Sequence, residues 1–165
     1  MSNASRAILL VFVSALVLIG CESENNFLEY RPPRNESSVT ISQGLWGDVW
    51  FWQGDFMPPE TGTVRPCARE VVVFEIATLE DLTRAEGAGS RFFSEVRTEE
   101  IARTTSRVDG FFELALPPGE YSVFVVEGSM YYSVLGPWYN NLSRAVVYAD
   151  SVAGYGLNIK YLASF

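Results

Sequence analysis

The stretch from Arg107 to Gly128, Arg-Val-Asp-Gly-Phe-Phe-Glu-Leu-Ala-Leu-Pro-Pro-Gly-Glu-Tyr-Ser-Val-Phe-Val-Val-Glu-Gly, admits few structures. Asp109-Gly110 is a tight-turn pair. Phe111 to Leu116 then alternates, with Phe112, Leu114 and Leu116 on one face and Phe111, Glu113 and Ala115 on the other. Pro117-Pro118-Gly119 ends this strand, because a proline has no N–H to give to a ladder and glycine accepts a positive φ. Tyr121 to Glu127 runs out again, with Tyr121, Val123 and Val125 opposed to Ser122, Phe124 and Val126. The spacing predicts a β-hairpin, apolar on both faces and therefore central in a sandwich.

The flanking segments carry the same period. Gln43 to Asp55 is a first strand with Trp46, Asp48, Trp50 and Trp52 on one face and Leu45, Gly47, Val49 and Phe51 on the other. Arg69 to Ala77 is strongly β-branched. Ile101 to Arg107, polar and Thr-rich, suits an edge, where charge discourages pairing with another chain. Arg144 to Ala149 and Tyr155 to Leu162 complete a set of seven strands at short spacing, the pattern of an all-β Greek-key sandwich of immunoglobulin-like type. Between them, Thr78 to Thr83 predicts a short helix capped by Thr78 or Asp81, and residues 84–97 have no clear period. The segment after Phe56 reads as turns up to Pro66, and Gly128 to Asn141 reads as an aromatic loop.

The first twenty residues stand apart. Arg6 precedes an apolar run from Ala7 to Ile19, shorter than the roughly 20 residues a spanning helix needs and suited to the h-region of a signal peptide. Leu18-Ile19-Gly20-Cys21 then resembles the cleavage and lipidation box of bacterial lipoproteins, which implies that Cys21 is the acylated first residue of the mature chain. Glu22, where an aspartate would favour retention in the inner membrane, implies the outer membrane. The expected layout is a signal peptide over 1–20, a lipidated N-terminus and tether over 21–42 carrying Pro32-Pro33, and a single domain over 43–165.

Removal of residues 1–20, which hold one arginine and no acid, takes the formal charge from −8 to −9. That balance argues against nucleic acid and leaves a covalent lipid as the membrane contact. The chain has no histidine, which removes Ser-His-Asp and Cys-His nucleophiles and the usual zinc sets. With Cys21 acylated, Cys67 has no disulfide partner and is expected to be buried. A hydrolase would need a carboxylate pair drawn from acids such as Glu75, Glu113, Glu120 and Glu127. No cofactor is implied. Calcium has weak candidates in Asp48, Asp55, Asp109 and Asp150, none in a calcium-loop motif. Trp52, Tyr131, Tyr132, Trp138 and Tyr139 are the candidate contact residues, an aromatic rim suited to a glycan or a protein partner, while core packing accounts for at least two of the tryptophans on the first strand.

Val-Trp-Phe-Trp-Gln-Gly-Asp-Phe-Met-Pro, Arg-Glu-Val-Val-Val-Phe-Glu, Asp109-Gly110-Phe111 and Leu116-Pro117-Pro118-Gly119-Glu120-Tyr121 together resemble a carboxypeptidase regulatory-like domain, the prealbumin-like (transthyretin-like) sandwich, over roughly 43–162. The resemblance implies a hairpin at the Pro-Pro-Gly piece, no general catalytic apparatus, and a stand-alone lipoprotein of the Bacteroidetes type. The expected function is a lipid-anchored, non-catalytic module of the cell envelope contacting a protein partner. The alternatives are a carbohydrate-binding module and an atypical carboxylate-dependent hydrolase.

Overall fold

The computed structural model describes residues 33–134 and 142–165; Cys21, most of the tether, Trp138 and Tyr139 lie outside the described residues. The strands are β1 (Gly44–Asp55), β2 (Thr63–Pro66), β3 (Glu70–Glu75), β4 (Leu82–Arg84), β5 (Phe92–Val96), β6 (Glu100–Thr105), β7 (Phe111–Ala115), β8 (Gly119–Glu127), β9 (Met130–Tyr132), β10 (Arg144–Val147) and β11 (Val152–Ser164). They form an all-β sandwich. All seven strands expected from periodicity are present, and β2, β4, β5 and β9 are added to them.

The smaller sheet is organised on β1. One edge of β1 pairs in parallel with β11 along almost its full length, and the other takes β7 and then β2, both antiparallel. Gly47 is required where β1 lies between β11 and β7. A Cβ there would lie 1.9 Å from the Tyr155 carbonyl oxygen and would press on the Phe112 ring. The larger sheet runs β4-β5-β9-β8-β3-β6, with β10 also on β8. β6 lies at its edge, as its polar sequence predicts. There Arg103 pairs with Glu100 through two 2.8 Å hydrogen bonds and also reaches Glu70.

Alternation sorts the apolar side chains into three layers. Leu45, Val49, Val71, Val73, Val123, Val125, Leu157 and Ile159 are fully buried between the sheets. Val72, Phe74, Phe93, Phe124 and Leu142 pack on the other face of the larger sheet, and Trp50, Trp52 and Phe56 on the other face of the smaller one. Each fully buried valine, leucine or isoleucine contributes about 1.5–3 kcal/mol of transfer free energy. Double-sided burial of the middle of β1 and of β8 explains why both carry apolar residues on each face.

The Pro-Pro-Gly connection does not close a hairpin. Ala115 at the end of β7 pairs with Gly44 of the smaller sheet, whereas Gly119 at the start of β8 pairs with Val147 of the larger one. The chain therefore crosses between sheets at Pro117-Pro118, whose missing N–H groups interrupt any ladder. The Tyr121 hydroxyl donates to the Pro117 carbonyl oxygen at 2.9 Å and closes the corner. The hairpins lie elsewhere. β8 and β9 turn over Gly128-Ser129, with Glu127 opposite Met130, and β4 and β5 pair in the region that shows no period. The helix expected over 78–83 is a single 3-10 turn, Leu79–Asp81, whose Asp81 carboxylate accepts from the Thr78 amide and hydroxyl at 2.8 Å each.

Residues 33–42, read from sequence as tether, are hydrogen-bonded onto the sandwich. The fully buried Asp48 carboxylate accepts from the Arg34 amide, from the Asn35 amide at 3.1 Å and from Asn35 Nδ2 at 2.6 Å. Thr40 donates its amide to Glu113 at 2.8 Å.

Candidate functional site

Near the end of β11 the ladder to β1 slips. Phe51 faces Ile159 and Gln53 faces Leu162, so Lys160 and Tyr161 stand opposite Trp52 alone. This is a bulge, a device that re-aims side chains. The Lys160 amide donates to the Tyr132 hydroxyl of β9 at 3.1 Å, joining the two sheets at this point. β9 pairs with β5, Phe92 opposite Tyr132, and the Ser133 amide donates to the Arg91 carbonyl at 2.9 Å. Tyr132 thus brings the start of β5 beside the end of β11, and a cleft of about 330 Å³ opens between them.

Its walls are aromatic and its charged side chains are cationic. Phe92, Tyr132, Tyr161 and Phe165 line it together with Ser90, Arg91 and Lys160. Lys160 Nζ lies 4.4 Å from the Trp52 ring centroid and 5.2 Å from that of Phe165. Such contacts contribute about 0.5–2 kcal/mol depending on desolvation. Burial, with a smaller contribution from Arg91, holds the lysine pKa below its ordinary value. Among the described residues neither Lys160 nor Arg91 is ion-paired with a carboxylate. Arg91 donates one guanidinium N–H to the Val134 carbonyl at 2.9 Å.

Behind the cleft the charges are balanced. The Tyr161 hydroxyl donates at 2.9 Å to Glu127, which also accepts from Arg69 Nε at 2.5 Å. Burial and this hydrogen bond to the carboxylate push the Tyr161 pKa up to about 12. Cys67 is half-buried and free, and burial raises its thiol pKa against the opposing pull of Arg69, the reverse of an activated thiolate.

The expected aromatic rim is divided by the fold. Trp52 is buried under Lys160, its indole N–H donating to Asn158 Oδ1 at 2.9 Å, and Tyr132 is buried at the joint between the sheets. Tyr131 points to the opposite face of the larger sheet and packs edge-on against Phe74 and Phe124. Trp138 and Tyr139 lie outside the described residues. Arg91, Phe92, Lys160, Tyr161 and Phe165 replace the missing members. Their one sequence signal is that Lys160 is the sole lysine of the chain; Arg91 falls in the segment without a period.

No family model matches this chain, and no curated protein and no solved structure matches it. The chemistry of the site therefore rests on its own geometry.

The acids do not assemble. Asp48 is enclosed by Arg34 and Asn35, Asp109 pairs with Arg107 at 2.8 Å, Asp55 accepts from the Met57 amide, and Asp150 lies in the β10–β11 turn. Among the described residues no group of three or more acids, cysteines or histidines is placed to hold a metal ion. Glu113 binds Thr40, Glu120 pairs with Arg144 at 2.6 Å and Glu127 with Arg69. These hydrogen bonds hold the Glu113 and Glu120 carboxyls below their ordinary pKa, the opposite of what a general acid requires.

Proposed function

We propose that this chain is a lipid-anchored, non-catalytic module of the cell envelope, of carboxypeptidase regulatory-like type, that contacts a protein partner through the far end of β11. One observation carries the proposal. Four large apolar side chains, Met57, Tyr161, Leu162 and Phe165, are exposed at the end of β11 and in the facing β1–β2 connection, by 40–55% of their surface. Clustered exposed apolar surface marks contact sites. The Phe56 amide donates to Ser164 at 2.9 Å, and the Phe56 and Phe165 rings stack at 5.3 Å, which holds the two segments together. The non-catalytic part of the proposal is supported by the ion pairs and hydrogen bonds that occupy Glu113, Glu120 and Glu127.

The test is a photo-crosslinking residue at Leu162 in cells, with Tyr148, exposed in the turn at the other end of β11, as the control. A discrete adduct at 162 and none at 148, confirmed by reciprocal labelling of the partner, is expected. Equal adducts at both positions, or none, would remove this role. Fatty-acid labelling that disappears in Cys21→Ser is the parallel expectation for the anchor. A second role, glycan binding, is favoured by the cleft itself.

A further inference from the structure

We propose that the cleft between the β4–β5 turn and the end of β11 binds a uronic acid unit of an acidic glycan, its carboxylate held by Lys160 and Arg91. The proposal goes beyond the partner-binding role and rests on the cleft alone. In a chain with a formal charge of −8, two cationic side chains share one concavity with no acidic side chain lining it. Among the described residues Lys160 Nζ donates no hydrogen bond, and Arg91 donates through one of its five guanidinium N–H groups, to the Val134 carbonyl. Lys160 is half-buried. Here it rests on aromatic faces, which steady the ammonium without neutralising it.

The carboxylate is favoured over a phosphate by donor supply. The described lining offers two side-chain cations and no helix N-terminus, the backbone device that commonly holds a phosphate dianion. The sugar is favoured by shape. Aromatic rings present negative faces to the weakly positive C–H groups of a pyranose, and Tyr161 and Phe165 are both partly exposed at the mouth. A volume of about 330 Å³ is at the small end for ligand sites, enough for a terminal unit rather than a long chain. Ser90 adds a hydroxyl at the rim.

The experiment is calorimetric titration of the detergent-solubilised full-length protein with trigalacturonate, with neutral galactotriose and with an acidic tripeptide. Trigalacturonate is expected to bind, and on the order of tenfold more weakly in Lys160→Met, in Arg91→Gln and at high salt. Galactotriose and the tripeptide are expected to be at least about tenfold weaker than trigalacturonate. Equal binding of the neutral sugar would show that no carboxylate is read, and binding of the tripeptide alone would remove the sugar. Binding undiminished in both variants, or no binding of any probe, would overturn the proposal outright. Arg91→Gln guards against misfolding, since its side chain caps a single part-buried carbonyl, whereas Lys160 covers Trp52. Failure here would leave the Leu162 crosslink unaffected, so the two proposals are separable.

Discussion

Tyr161 shows how one side chain joins stability to the site. Its hydroxyl reaches Glu127, its ring meets Phe51, Phe92 and Tyr132 at 5.2–5.7 Å, and it walls the cleft. Burial and the Glu127 carboxylate favour the neutral phenol and raise its pKa from about 10 to about 12. A raised folded-state pKa contributes stability that is complete below the unfolded value and lost as pH rises through the folded one. Denaturant titrations between pH 9 and about 12.5 should therefore show a decline that Tyr161→Phe reduces; an identical slope in the variant would place the loss elsewhere. Asp48 is the corresponding residue at the other end of the sheet. Replacing it with Ala leaves the Arg34 and Asn35 amides without their acceptor and is expected to cost about 2 kcal/mol. Amide exchange at Asn35 should accelerate in the same variant, and unchanged exchange would show that Asp48 does not hold the segment.

At the scale of elements, the corner between β7 and β8 and the crossing of β1 with its neighbours set the architecture. The Tyr121 hydroxyl bonds across the corner that two prolines open. Tyr121→Phe should cost about 1 kcal/mol in chemical denaturation with the fold retained, and no change would mean the prolines alone set the crossing. Gly47→Ala is expected to be far more damaging. Its methyl would meet the Tyr155 carbonyl between two paired strands, where neither backbone can retreat without breaking the β1–β11 ladder. A loss of about 3 kcal/mol or more, seen as a collapse in expression or melting temperature, is the expected result. Much of this scale is legible in the residues. β1 and β8 announce burial on both faces, and β6 announces an edge. β4 and β9, three residues each, are too short for alternation to register, and their pairing depends on what they meet.

The whole molecule is an acidic sandwich whose last strand, thirteen residues long, closes the smaller sheet at its edge. Parallel pairing of β11 with β1 brings the end of the domain back against its first strand, so that Phe165 packs on Phe56 and Trp52. Truncation after Tyr161 should consequently do more than trim a terminus. Loss of Leu162 to Phe165 uncovers Trp52 and is expected to red-shift tryptophan emission and lower the melting temperature by several degrees. An unshifted spectrum would show that the terminal residues do not cover the indole.

The sequence by itself determined the class of this protein: seven short strand-like runs and a proline pair that no ladder accepts specify a sandwich, and a composition without histidine leaves no histidine-dependent nucleophile. It determined which faces are buried, because period-two alternation is written in neighbouring residues. Partnership was decided only in three dimensions. The direction of Pro117-Pro118 across the sheets, the slip at Trp52, and the approach of Arg91 to Lys160 all depend on contacts between residues far apart in the chain. The same alternation fits any partner that offers an apolar face, so the choice among partners belongs to the packed core as a whole.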